Sequence, residues 1–153
     1  MFEPVHTMTS YYDGPRSGIA QFHGVPHAYE SRWSDIGPEA DDTYLLMPIA
    51  GSTLELALED QAIWLRWSAA LEEGRTTQQT HPVLPEDSAR SAAVSAVLKG
   101  LLVIDETKAL FARAEFRVRT DQAPVPGWIP LEVEWTPINC VDHADNRKTI
   151  NFP

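Results

Sequence analysis

A chain of 153 residues with 43% hydrophobic side chains is long enough to bury a core unaided, and its single cysteine excludes an internal disulfide. Its formal net charge of −10, from 22 acidic against 12 basic residues, repels nucleic acid and anionic lipid unless a local basic patch offsets it. The longest nearly apolar run, 94–104, is broken by Ser95, Lys99 and Gly100 and falls short of the ~20 residues a membrane-spanning helix needs. No nucleic-acid or membrane partner is expected, and an opening Met-Phe-Glu-Pro in place of a basic-then-apolar leader points to the cytoplasm.

Residues 4–12 read as a first strand with Val5, and Met8 after it, turned inward. Gly18 to His23 alternates weakly, Gly24 punctuates, and Pro26 to Trp33 resumes with Tyr29 and Trp33 on one face and Glu30 and Arg32 on the other. That pattern predicts a hairpin. An acidic loop carrying Gly37 and Pro38 follows, and then Thr43 to Ile49 is almost wholly apolar, as in a strand covered on both faces.

Ser52 and Glu55 have capping-box spacing, which predicts a helix running to Glu73 with Gly74 as its stop. Its apolar arc of Leu56, Ile63, Trp67 and Leu71, flanked by Leu54, Leu58, Ala62 and Leu65, is wide enough to be mostly buried, with Trp64 at its edge. A second helix starts at Pro85-Glu86-Asp87, where proline suits the first helical position and the carboxylates meet the positive helix end. Val94, Val97, Leu98, Leu101 and Leu102 form its stripe.

From Ala109 to Arg119 the period changes to two, with Ala112, Ala114, Phe116 and Val118 opposite Arg113, Glu115, Arg117 and Arg119. Leu131 to Trp135 alternates in the same way, so these two strands are expected to pair. The expected fold is α+β: a single, mainly antiparallel sheet of about five or six strands, an N-terminal meander and a C-terminal hairpin, with two central helices packed on it. The pattern leaves open whether the sheet stays flat or rolls into a barrel. Residues 1–138 are expected to form one domain, and 139–153, poor in apolar residues, a C-terminal extension.

Four places invite a chemical reading. Asp13, Arg16, His23 and His27 crowd into a short meander. Gly14 and Gly18 around Arg16 suit either an anion site or simply a tight connection, and the histidines flank a turn where a metal or proton might be shared. The glycines and prolines account for a hairpin first. Arg113, Arg117 and Arg119 are the one concentration of positive charge, but Glu132 and Glu134 on the partner strand offer cross-strand pairing instead. Cys140 and His143, beside Asp142 and Asp145, look like ligands yet fall in the extension, a poor scaffold for chemistry.

Five tryptophans, Trp33, Trp64, Trp67, Trp128 and Trp135, are many for this length. Trp128, in a Pro- and Gly-bearing loop, is the candidate for an exposed anchor or for a ring tucked back over the sheet, and Asp41 and Asp42 are the candidate acidic contacts. No cofactor and no metal site is expected.

Tyr11-Tyr12-Asp13-Gly14-Pro15-Arg16-Ser17-Gly18, His81-Pro82-Val83-Leu84-Pro85 and Leu131-Glu132-Val133-Glu134-Trp135-Thr136-Pro137 resemble signatures of small uncharacterised bacterial proteins. The resemblance implies a bacterial cytosolic protein and carries no activity, substrate or functional residue. The residues themselves favour a non-enzymatic, acidic binding or accessory protein acting on a protein partner, of which an inhibitor or immunity protein is one case. The alternative is a small-molecule enzyme or sensor using Asp13, Arg16, His23 and His27.

Overall fold

The computed structural model describes residues 1–9, 14–32 and 43–138. Period-two segments form six strands: β1 (Glu3–Met8), β2 (Ser17–Phe22), β3 (Val25–Ser31), β4 (Thr43–Pro48), β5 (Leu110–Val118) and β6 (Leu131–Pro137). Helices α1 (Gly51–Glu72) and α2 (Ser88–Leu101) are inserted between β4 and β5. Each strand runs antiparallel to the next, and β1 also pairs with β6 through Glu3↔Val133 and Pro4↔Glu132. The sheet therefore closes into a six-stranded barrel, with the α+β class as expected. Among the described residues no helix is long and apolar enough to cross a membrane.

Closure depends on local geometry as well as on burial. His23 and Gly24 both have left-handed backbones, φ 51° and 74°, the geometry of a two-residue turn whose twist matches its flanking strands. Glu3 then reaches over from β1, its carboxylate accepting from the backbone N–H groups of His23 at 3.0 Å and Gly24 at 2.8 Å. One side chain thus ties the first strand to the β2–β3 turn.

Inside the barrel, Val5, Ala20, Tyr29, Tyr44, Leu46, Ala112, Val133 and Trp135 form the buried core. Every pair among the rings of Tyr29, Tyr44, Phe116 and Trp135 has its centroids between 5.5 and 6.1 Å apart, at tilted or edge-on angles. Three of these rings carry polar handles that end on backbone carbonyls. Tyr29 donates to Thr7 at 3.3 Å, Tyr44 to Pro15 at 3.1 Å, and the Trp135 indole to Gln21 at 3.1 Å. Burial pushes the Tyr29 phenol far above its ordinary pKa, with the neighbouring Tyr44 adding to the effect.

The other face of the sheet is covered as well. Ile19 on β2 packs against Ala57 of α1 and Val94 and Leu98 of α2. On β4, Tyr44, Leu45, Leu46 and Met47 are all buried, as their unbroken apolar run predicts. Trp67, Ala70 and Leu84 form a separate cluster that fixes α1 to the 3-10 turn preceding α2. Two ion pairs join the helices' outer edges, Arg66 to Asp87 with two contacts of 3.0 Å, and Arg90 to Glu59 at 2.5 and 2.8 Å.

Several sequence expectations need correction. α1 begins one residue before Ser52, with Ala50 as N-cap and no side-chain cap, so the capping box is not formed. Its end is as predicted: Gly74, at φ 72°, donates to Leu71 at 3.1 Å and Arg75 to Ala70 at 2.8 Å. The wide apolar arcs are not mostly buried. Leu58, Val97 and Leu101 are 41%, 52% and 46% exposed, because a helix pair laid against a barrel touches its curved wall only along a narrow strip. Arg117 does meet Glu132, at 2.5 Å, but the register sets Glu134 opposite Glu115, and the N-terminal ammonium of Met1 pairs with Glu134 instead.

Gly18 marks the closest approach of β1 and β2. A Cβ there would lie 2.0 Å from the Thr7 carbonyl oxygen and 2.8 Å from its carbon, both backbone atoms that cannot swing aside. Gly18→Ala is therefore expected to destabilise the fold by about 1–3 kcal/mol or more, the range for forced overpacking. Urea denaturation followed by tryptophan fluorescence measures it.

Candidate functional site

Polar residues interrupt the inward row of α1 and flank that of α2. Ala57, Asp60, Gln61 and Trp64 follow i, i+3, i+4, i+7 along α1, and Ser95, Leu98, Lys99 and Leu102 repeat that spacing along α2 and its C-cap. Both rows line a cleft of about 650 Å³ between the helix pair and one rim of the barrel. The rim contributes Thr7, Met8 and Thr9 from β1 and just beyond it, Ser17 and Gly18 from β2, and Tyr29 and Glu30 from β3.

The β5–β6 connection forms the remaining wall. Val125 and Trp128 exchange two backbone hydrogen bonds of 3.0 Å around Gly127, whose φ is 81°. This turn is seated on α1: the Trp64 indole donates to the Gly127 carbonyl at 2.9 Å, and a Cβ on Gly127 would lie 2.3 Å from Ser68 Oγ. The Ser68 hydroxyl is buried beneath it without a hydrogen-bond partner among the described residues. Trp64 and Gly127 also border a smaller cleft of about 320 Å³ shared with Trp67, Leu71 and Glu72. Trp128 packs against the barrel core and lines the larger cleft, so of its two readings the tucked-back ring is the one the structure shows.

Among the described residues, the charged side chains lining the cleft are Glu30, Asp60 and Lys99. Asp60 is half-buried and, among the described residues, makes no hydrogen bond or ion pair; burial pushes its carboxyl above the usual range. Lys99 is exposed on the opposing helix. The cleft thus combines two indoles, apolar patches from Ala57, Leu98 and Leu102, and one desolvated carboxylate.

Among the described meander residues Arg16 is set apart, while the rings of His23 and His27 both contact that of Phe22. Arg16 precedes β2, its N–H bonded to Gly14 and its carbonyl to Ser31, whereas His23 and His27 lie toward the other end of the hairpin. Since His27 pairs with Ala20, at least four strand steps, roughly 13 Å, separate Arg16 from it. His27 is a core histidine: it is buried, its Nδ1 is 2.8 Å from the Val25 carbonyl oxygen, and its ring meets the Phe22 ring edge-on at 5.4 Å. His23 is an exposed turn residue. Arg16 thus stands apart from His27, because neighbours along a hairpin arm become distant once the strand extends. Asp13, Asp41, Asp42, Cys140 and His143 lie outside the described residues. Among the described residues no three His, Cys, Asp or Glu side chains gather to hold a metal.

Asp60, Gln61 and Lys99 escaped the sequence reading, although the polar interruption of the α1 stripe by Asp60 and Gln61 was a visible signal. Comparisons with protein-family models, curated proteins and solved structures returned no match.

Two outcomes follow from this geometry. Gly127→Ala, clashing with Ser68 and forced to keep a left-handed backbone, should lift the β5–β6 turn from α1 and cost about 1–3 kcal/mol. Faster amide exchange at Val125 and Trp128 would report it. Asp60 binds its proton more tightly folded than unfolded, so it lowers stability as pH rises through its titration range. Asp60→Asn should therefore melt higher than the parent near neutral pH, with the advantage vanishing at about pH 3, below the ordinary carboxylate range. Paired thermal melts across that span check the sign.

Proposed function

We propose that this protein binds a small organic molecule in the cleft between its helix pair and the barrel rim. The observation that carries the reading is the gathering of polar side chains from both helices, beside two indoles, around one concavity. Core-facing rows of a helix pair are ordinarily apolar, since an uncompensated polar group buried there costs free energy. Asp60 and Gln61 interrupt such a row on α1, and the exposed Ser95 and Lys99 of α2 line the same space from its edge. A volume of about 650 Å³ lies within the range typical of small-molecule sites, which pair apolar walls with a few placed polar groups.

The walls are held from behind, which favours binding without large rearrangement. Trp64 is fixed by its bond to Gly127, Trp128 by packing on the barrel core, and α1 against α2 by their ion pairs. A preformed site loses less entropy when it is filled.

The neutral dye N-phenyl-1-naphthylamine tests the reading through its fluorescence gain on entering an apolar site. Ser95 is exposed on α2 and lines the cleft, so Ser95→Trp fills the space from its edge without disturbing the core. The parent protein should bind the dye, and the variant, with an unchanged melting temperature, should bind it at least about tenfold more weakly, a change of about 1.4 kcal/mol. Equal binding by both proteins would place the dye elsewhere and count against the cleft.

A further inference from the structure

The cleft reading leaves open what kind of molecule is held, and the inference that follows rests on it. Asp60 and Trp64 stand one helical turn apart on the same face of α1, which sets their Cβ atoms at roughly 5–6 Å. The carboxylate therefore lies alongside an indole whose own N–H is already committed to Gly127. Trp128 contributes a second indole to the same concavity.

A carboxylate partly removed from water, with neither a cation nor a donor against it, has lost solvation without compensation. Its complement is a positive charge that arrives with the ligand. The aromatic walls suit such a ligand twice over, since an indole face attracts a cation and also packs on an apolar body. Glu30 on the rim adds a second negative charge, Lys99 is the one cation in the lining among the described residues, and the whole chain at −10 draws positive solutes toward the protein. A neutral ligand would leave Asp60 unpaired, and an anion would be repelled by both carboxylates.

We propose that the cleft takes a protonated amine carried on an aromatic or aliphatic body, with Asp60 as its counter-ion and Trp64 and Trp128 as its apolar walls. The ammonium sits between the Asp60 carboxylate and the Trp64 ring, and the body extends along Leu98 and Leu102 toward Trp128.

A near-isosteric series separates charge from shape: 2-phenylethylamine, 2-phenylethanol and 3-phenylpropionate, each titrated calorimetrically into the parent protein and Asp60→Asn. The amine should bind the parent at least about tenfold more tightly than the alcohol. The variant should lose that preference while keeping its affinity for the alcohol and for N-phenyl-1-naphthylamine, which shows that the cleft is intact. Equal binding of amine and alcohol by the parent, a preference that survives in the variant, or tightest binding of the propionate would each overturn the amine assignment and leave the cleft reading standing. Failure of all three compounds while the dye still binds overturns it as well. Failure of the dye together with all three sinks the cleft reading itself.

Discussion

Four aromatic rings in mutual contact close this molecule. Tyr29, Tyr44, Phe116 and Trp135 come from β3, β4, β5 and β6, so their packing alone would join four strands. The polar ends of three of them extend the set to the whole barrel. Tyr29 ends on β1, Tyr44 on the segment leading into β2, and Trp135 on β2 itself. Edge-on aromatic pairs contribute about 0.5–1.5 kcal/mol each beyond the area they bury, and a buried hydroxyl that finds its carbonyl adds about 1 kcal/mol. A lost ring would remove apolar contact and leave a carbonyl without its donor.

The position of the cleft follows from that closure. The barrel interior holds packed side chains, and the cleft lies where the helix pair meets the wall. Ile19 anchors one end of the contact against Ala57, Val94 and Leu98. The other end is held by the Trp64 to Gly127 bond, which brings the β5–β6 turn over α1. Between these two attachments the helices stand off from the rim, and polar residues occupy the gap. The narrow contact also leaves Val97 and Leu101 facing outward.

Patterns local in sequence were legible where one force dominated. The apolar run of β4, the alternation of β5 and β6, the hairpin at His23-Gly24 and the Gly74 stop each follow from a single local rule, burial parity or left-handed backbone geometry. Competing local signals misled. Ser52 and Glu55 have the right spacing for a capping box, but the chain leaving β4 turns into the helix one residue earlier, at Gly51.

Composition and periodicity by themselves determined that this chain is an α+β protein with an antiparallel sheet and two helices between its halves. Strand parity and helix stops depend on neighbours within a few residues, so they can be read along a line. Tertiary structure alone decided that the sheet closes, since β1 and β6 meet across more than a hundred residues through only two paired positions. It alone brought Asp60, Lys99, Glu30 and Trp128 around one space. That juxtaposition joins two helices, a barrel rim and a distant turn, and no spacing along the chain encodes the angle at which a helix pair rests on a curved wall.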